Sequence, residues 1–429
     1  MTAPSAAPSR SLWRHRDFRQ LWAAETVSQL GSQVTMLALP VLAVTLLAAT
    51  PLELGVLTAL ETVAFLLVGL PAGAWVDRWR RRRVLVVSDL VRAVTLASLP
   101  VAYAFDALTL AQLFLVAAAT GTATVFFDVA YQSYLPTLVD RDQIVDGNGK
   151  LEISRSVAQV AGPGITGLLL RVLSAPVVIV LDAVSFLLSA VFVGRIRTPD
   201  QVPDRAGRRP LRQEIGEGLA FVVRHPLLRR IVACTGTANL FGAMNTTLLV
   251  LFALRELRLS EAVLGIVFSA GSVGGLLGAF TAARFARRVG EGRAIPLSIL
   301  VAVPFTALTP LAAVGPPVLL LAVGTFGVSW AVVAYNVTQV SFRQRLCPPA
   351  LLGRMNASVR FIVFGTMPLG ALLGGVLGTV VGVLPTLWIV VAGGLLAALP
   401  VALSPLIGMR ELPDEWDATA GPVARRTDG

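Results

Sequence analysis

Long apolar runs alternate with short polar connections from near the start of the chain to near its end. Most of the runs contain about the 20 residues that an α-helix needs to cross a ~30 Å hydrocarbon core. A buried helical hairpin of a soluble protein would explain two such runs, but not a pattern that covers the whole chain. We therefore predict twelve membrane-spanning helices, at residues 18–47, 54–76, 84–104, 108–130, 155–173, 176–194, 230–253, 262–282, 294–313, 317–341, 358–380 and 384–407.

The composition agrees with this prediction, because 55% of the 429 residues are hydrophobic and only 14% are charged. A soluble fold of this size could not bury so much apolar surface. Two cysteines and two histidines are too few ligands for a metal cluster, so we expect neither a metal nor a cofactor.

The net charge of +11 follows the loops rather than forming a stripe on one domain, so nucleic acid is not an expected partner. Alternate connections hold nearly all the arginines, and the connections on the other side hold only Arg171, Arg255 and Arg258. Positive residues stay in the cytoplasm, which predicts a multi-pass protein of the cell membrane with both termini cytoplasmic.

The two halves of the chain resemble each other at an offset of about 205 to 208 residues, which places Gly162 on Gly370 and Asn148 on Asn356. We predict an all-α integral membrane fold in which two pseudo-symmetric six-helix bundles repeat in parallel. The predicted segments are a tail (1–16), a bundle (17–195), a linker with an amphipathic helix (196–228), a second bundle (229–408) and a second tail (409–429).

A cationic hinge, Gly73 to Arg83, connects the predicted spans 2 and 3. Its Gly73, Asp77, Arg78, Arg81 and Arg82 match the pattern GxxxD(R/K)xG(R/K)(R/K), so the hinge resembles the signature loop of the major facilitator superfamily. Arg80 stands where many members have glycine. The resemblance implies a twelve-helix transporter whose hinge charges latch the halves in one of two alternating states; a role in topology alone is the alternative for the arginines. The predicted latch combines five hinge residues with three charged residues of spans 3 and 4. They are Gly73, Asp77, Arg78, Arg81 and Arg82 in the hinge, Asp89 and Arg92 in span 3, and Asp128 in span 4.

Several short segments are similar to the macrolide-efflux and enterobactin-exporter-like branch of that superfamily. They include residues 28–31, 132–136 and 353–356, and the Asp89 and Arg92 of span 3. Asp89 and Arg92 are i,i+3 neighbours on a helix, so they can pair and lower the cost of a charge in the membrane.

Span 5 contains a glycine-rich motif, Gly162, Pro163, Gly164 and Gly167. A nucleotide-binding role is excluded because the motif lies in an apolar span with no strand before it. The motif resembles the Gly-Pro motif of superfamily antiporters, which implies export. The alternative is a glycine face for helix packing with a proline kink.

Polar residues inside the predicted spans mark candidate sites for protons and substrate. The proton-coupling candidates are Glu25, Asp182 and Glu61; for Glu25, contact with a substrate cation or with a neighbouring helix is also possible. The substrate-cavity candidates are Gln29, Gln33, Asn239, Asn245, Asn336 and Gln339.

Together these features predict a monomeric secondary transporter that exports a small, amphipathic organic molecule by alternating access as a proton antiporter. Its expected partners are membrane lipid, the small-molecule substrate and protons. The alternatives are a proton-coupled importer of a nutrient and a non-transporting receptor of the same fold. An enzyme is not expected, because the chain contains neither HExxH nor GxSxG.

Overall fold

The computed structural model describes residues 12–76, 78–140, 143–198, 216, 220–347 and 352–410, and these residues are almost entirely helical. We number the helices in chain order: α1 (Arg16–Thr45), α2 (Pro51–Leu67), α3 (Gly69–Val76), α4 (Arg81–Ala104), α5 (Leu110–Leu138), α6 (Ile144–Val172), α7 (Ala175–Gly194), α8 (Pro226–Leu251), α9 (Glu261–Val289), α10 (Glu291–Leu311), α11 (Pro317–Leu346), α12 (Leu352–Val380) and α13 (Val383–Ala402). A π-helical turn, Phe252–Glu256, extends α8.

Ten of the described helices are long and apolar enough to cross a membrane. The two other predicted spans correspond to α2 with α3, and to α6. The predicted span 54–76 is formed by two helices, because the helix breaks at Val68. Pro71, in the first turn of α3, has no N–H to donate to the carbonyl of Leu67, so one of the hydrogen bonds that would join α2 to α3 is missing. With these two crossings, the predicted twelve-helix fold is confirmed.

The predicted start of span 5, at residue 155, was wrong, since α6 begins at Ile144. The added turns contain Asp146, Lys150 and Glu152, which lower the local hydropathy. A hydropathy profile detects the part of a helix that lies in hydrocarbon, and it misses charged turns that continue beyond it.

The two histidines of the chain cap the first helix of each half. His15 Nδ1 accepts a hydrogen bond from Phe18 N, and His225 Nδ1 accepts from Leu227 N and Leu228 N. These bonds satisfy N–H groups that have no partner within the helix. The sequence interpretation of both histidines as tail and linker residues was incomplete, because they are equivalent helix caps about 210 residues apart.

The same pairs of helices pack in both halves of the molecule. In the first half α1 packs on α6 and α7, and α4 packs on α5 and α7. In the second half the equivalent helix α8 packs on α12 and α13, and α10 packs on α11 and α13. The most extensive contacts between the halves are those of α2 with α12 and of α6 with α9. This repeated packing is the parallel duplication that the sequence offset predicts.

Among the described residues, the halves share a buried apolar cluster at one end of the molecule. At the end opposite the hinge, Leu42, Leu248 and Val383 belong to one buried cluster drawn from both halves. At the hinge end each half has its own cluster, around Tyr134 in the first half and Phe342 in the second. We call these the closed end and the open end.

Several predicted features lie wholly or partly outside the described residues. Asp77 and most of both tails are among them, as is most of the predicted amphipathic linker helix. The described end of that linker places Phe221 and Val222 in the apolar cluster of the second half.

Candidate transport site

Two glycine crossings hold the halves together toward the closed end. Where α2 meets α12, a Cβ built on Gly375 would lie 3.0 Å from Gly55 Cα. Where α6 meets α9, a Cβ built on Gly167 would lie 2.8 Å from Gly265 Cα. Backbone therefore contacts backbone at both crossings, as in membrane helices whose small residues allow close approach.

The two crossings are equivalent at the level of single atoms. A Cβ on Gly55 would lie 2.6 Å from the carbonyl oxygen of Ala371, and a Cβ on Gly265 would lie 2.6 Å from that of Pro163. Each residue has its counterpart at an offset of about 208 to 210 residues, as expected for a parallel repeat.

The span 5 motif lies partly on this crossing. Gly167 faces Gly265, Gly164 faces Ser269 in the other half, and Gly162 packs on Gln33 of α1. The motif is therefore a helix-packing face between and within the halves. Its proposed link to export stays a prediction.

Glu25 lies in the first half where α1, α5 and α6 meet, and only 6% of it is exposed. Its Oε1 accepts a hydrogen bond of 2.7 Å from Gln29 Nε2, while Oε2 has no hydrogen-bond partner among the described residues. Asp128 of α5 and Arg155 of α6 act on it electrostatically. The sequence placed Asp128 near the end of a span at 130, but α5 continues to Leu138, so Asp128 lies deeper, beside Glu25.

Asp182 lies between α7 and α1 and is 1% exposed. Its Oδ1 accepts a hydrogen bond of 2.9 Å from Ser185 Oγ. A Cβ on Gly31 would overlap both of these side chains, so glycine at that position lets α1 approach them. Asp182 is thus a buried interhelical group within the first half.

Asp89 and Arg92 form the ion pair that their spacing predicts, with 2.5 Å between Arg92 Nη2 and Asp89 Oδ1. The Arg92 guanidinium lies 4.3 Å from the ring centroid of Phe127 and 4.1 Å from that of Phe186. Arg92 is 3% exposed and Asp89 is 0% exposed, so the pair is buried where α4, α5 and α7 meet. These two cation–π contacts add to the stability of the buried charge.

The described hinge residues face the first half. Arg82 donates a hydrogen bond to the carbonyl oxygen of Gly194, the last residue of α7. The helix dipole also favours a cation at this C-terminal end. Arg81 is half-buried and Arg78 is exposed, while Gly73 lies within α3. The predicted latch is therefore divided among the hinge, the Asp89–Arg92 pair and the surroundings of Glu25.

A cavity of about 520 Å³ lies between α6 of the first half and α8, α9 and α11 of the second. Of the predicted substrate residues, only Asn245 lines it, and its Oδ1 has no hydrogen-bond partner among the described residues. The sequence prediction missed the polar groups that line the rest of the wall: Glu152, Ser156, Gln159, Thr246, Ser272 and Ser329. Glu152, Ser156 and Gln159 recur at helical spacing, and only Glu152 lies before the predicted start of span 5.

The other predicted polar residues lie outside the lining of this cavity. Gln33 lies against Gly162, and Asn239 Nδ2 donates to the carbonyl of Val363 at 3.5 Å. Gln339 is 3% exposed and donates to Asn336 Oδ1 at 3.4 Å. Glu61 is half-buried on α2, at its contact with α5.

At the closed end, a hydrogen bond between described residues joins the halves. Arg255, in the π-helical turn after α8, donates from Nη2 to the carbonyl oxygen of Val44 at 3.1 Å. Val44 lies in the last turn of α1, where carbonyl groups lack partners within the helix.

A polar cavity between two six-helix halves that meet at one end is the architecture of a membrane transporter. The chain belongs to the Major Facilitator Superfamily, whose model matches residues 21–365. It is 30% identical to the multidrug efflux pump Tap of Mycolicibacterium fortuitum, over 84% of this chain and 89% of that protein. It is 22% identical to macrolide efflux protein A of Streptococcus pyogenes, over 92% of this chain and 97% of that protein.

Solved structures share the fold. A bacterial homologue of the iron transporter ferroportin, in an inward-facing state, matches with a TM-score of 0.76 and 15% identity over 92% of this chain and 99% of that one. The nucleoside transporter NupG matches with a TM-score of 0.70 and 16% identity over 90% and 98%. These matches show the fold alone.

Proposed function

We propose that the chain exports a small, amphipathic organic molecule across the plasma membrane by alternating access, in exchange for protons. The names of the relatives support export, since two of them are a multidrug and a macrolide efflux protein. The arginine-rich connections support a cytoplasmic location for the open end and both termini, by the positive-inside rule. In that orientation the described conformation receives substrate from inside the cell.

The observation that carries proton coupling is the environment of Glu25. It is a buried carboxyl with one oxygen bonded to Gln29 and the other without a hydrogen-bond partner among the described residues. Asp128 lies near it, and Tyr131 is coupled electrostatically both to Glu25 and to Glu152 of the cavity wall. Such intramembrane carboxyls form proton relays in pumps and transporters.

The driving force is adequate for one titrating group. Moving one charge down ~100 mV releases about 2.3 kcal/mol, which supports a gradient of roughly fiftyfold. Asp182 and Glu61 are further candidates, but Asp182 is tied to Ser185 within the first half. Glu25 is the proposed coupling group.

The test is efflux of a macrolide probe from everted and right-side-out vesicles with an imposed pH gradient. We expect transport out of the cell that stops with a protonophore, and a Glu25→Gln variant that still binds the probe but no longer responds to the gradient. Glu256→Gln, an exposed carboxyl at the closed end, is the matched control. Gradient-driven efflux by Glu25→Gln at the wild-type rate would exclude Glu25 as the coupling group.

The hinge latch is the second part of the proposal. The Asp77 carboxyl, which lies outside the described residues, would pair with arginines of the hinge region in one conformation and release them in the other. Ion pairs of this kind bias a two-state equilibrium without changing the fold. Asp77→Asn should reduce efflux while insertion and thermal stability stay near those of the wild type.

A further inference from the structure

A groove on the outer side of the first half has not been assigned a role. It lies between α4 and α5, has a volume of about 960 Å³, and is lined along its length by Val87, Val91, Leu115 and Ala119. All of its lining residues come from α4, α5 and the hinge. Since α4 packs mainly against α5 and α7, this groove lies on the lateral surface and not between the halves.

The walls of the groove are exposed and apolar. Val87 is 58% exposed and Leu115 is 72% exposed. In a membrane protein such surface contacts acyl chains, because no water reaches it in the hydrocarbon region. A cleft of this depth between two helices holds a chain more firmly than a smooth helix face.

The open-end mouth of the groove is cationic. Arg78, Arg80 and Arg83 line it, and none of its described lining residues is acidic. All three arginines are exposed, and none takes part in an ion pair between described residues. Arginine presents a planar fork of donors that matches a phosphate group.

A second cavity, of about 670 Å³, adjoins the first on the other side of α4. It shares Arg80 and Arg83 with the groove and adds Arg82 and Arg197. The two shared arginines therefore lie between the two cavities, at the level where the hinge leaves the membrane. Trp79 marks that level, since it is 50% exposed and stacks on Phe126 with 6.1 Å between ring centroids. Tryptophan is enriched at the membrane–water interface.

We propose that this groove binds one anionic phospholipid of the leaflet at the open end. The phosphate lies on Arg80 and Arg83, with Arg78 beside it, and an acyl chain follows Val87 and Val91 into the groove. Basic pockets between membrane helices on the cytoplasmic side bind acidic headgroups by the same combination of charge and apolar surface. The lipid would hold the start of α4, and thus the hinge, against the first half.

The test uses bromine-labelled lipids, which quench nearby tryptophan fluorescence. Purified protein is reconstituted in phosphatidylcholine vesicles, and either dibrominated phosphatidylglycerol or dibrominated phosphatidylcholine is then added in increasing amounts. We expect phosphatidylglycerol to quench at much lower mole fraction, and a Trp79→Phe variant to lose that component. Equal quenching by the two lipids would overturn the proposal.

Three variants separate charge from groove shape. Arg80→Gln/Arg83→Gln should weaken phosphatidylglycerol binding by about thirtyfold, or about 2 kcal/mol for two interfacial charges. Arg287→Gln/Arg288→Gln, which removes two exposed arginines at the open end of α9, should leave binding unchanged. Ala119→Phe fills the groove without changing any charge, so it tests the acyl-chain contact even if the arginine variant inserts poorly.

Each remaining outcome has a definite meaning. If Ala119→Phe binds phosphatidylglycerol as the wild type does, the acyl chain does not occupy the groove and the proposal fails. Inorganic phosphate is also tested, for binding to protein in detergent and for displacing the lipid from protein in vesicles. If it does both over the same concentration range, the arginines form a simple anion site and the proposal fails. An equal loss in the α9 variant would reduce the effect to net charge and would also overturn it.

Discussion

The glycine crossing of α6 and α9 gives the sharpest test of the transport cycle. Gly167→Ala places a Cβ 2.8 Å from Gly265 Cα and 3.0 Å from the carbonyl oxygen of Glu261. Both neighbours are backbone atoms, so no side chain can rotate away and the helices themselves must separate. Overpacking of this kind costs about 1–3 kcal/mol.

That cost applies only while the crossing is formed. If the halves separate at the closed end in the alternative conformation, the added methyl penalises the described conformation alone. A penalty of about 1–3 kcal/mol shifts the equilibrium between the two conformations by roughly 5- to 150-fold toward the alternative. Gly375→Ala, at the equivalent crossing of α2 and α12, should act in the same direction, because its Cβ would lie 2.8 Å from the carbonyl oxygen of Pro51.

The assay is labelling of a cavity cysteine by a membrane-impermeant maleimide. Ser272→Cys provides the reporter, because Ser272 lines the cavity and the two natural cysteines are buried. We expect Gly167→Ala to slow labelling from the open end and to accelerate it from the closed end. Gly242→Ala is the control, since a Cβ there meets nothing within 4 Å. Unchanged labelling in Gly167→Ala, or an equal change in Gly242→Ala, would refute the reasoning.

Three further predictions concern stability, each measured by thermal unfolding of the purified protein in detergent. Burial lowers the pKa of His225, whose Nδ1 must stay unprotonated to cap α8. The protein should therefore lose stability as the pH falls below about 6.5. His225→Asn should remove this pH dependence, because asparagine caps a helix without titrating. Arg92→Met should lower the free energy of unfolding by about 3–5 kcal/mol, because it leaves Asp89 buried without its partner. Adding Asp89→Asn should recover part of that loss. No recovery would mean that Arg92 stabilises the fold mainly by stacking on its two aromatic neighbours. Ala48→Gly should stabilise the protein by about 1 kcal/mol because Ala48 has φ of 51° at the end of α1, and an unchanged or lower Tm would contradict this.

Hydropathy and charge were sufficient to predict the fold, because each crossing must satisfy its own backbone within one continuous apolar run. The same criterion misplaced the start of α6, whose charged first turns do not resemble a span. The histidine caps were missed for a different reason. Ser, Thr, Asp and Asn are the usual capping residues, so a histidine before a helix gives no local signal.

The candidate site was less predictable than the fold. The Asp89–Arg92 pair follows from spacing along one helix, and it is formed. Asn245 was the only predicted substrate residue that lines the described cavity, since lining depends on how helices from different halves face each other. A polar residue within a span can equally bond to a neighbouring helix, as Asn239 does with Val363. Tertiary packing decides whether such a residue lines the cavity or bonds to a neighbouring helix, and the local sequence around the residue does not reveal which.

The glycine crossings also bear on how this protein can change over evolutionary time. Because the contacts at Gly55 with Gly375 and at Gly167 with Gly265 involve backbone alone, they do not depend on the identity of any side chain in the cavity wall. Residues such as Ser156, Ser272 and Ser329 can therefore be replaced without altering either crossing. The residues of the cavity wall and the contacts between the halves can therefore change independently over evolutionary time.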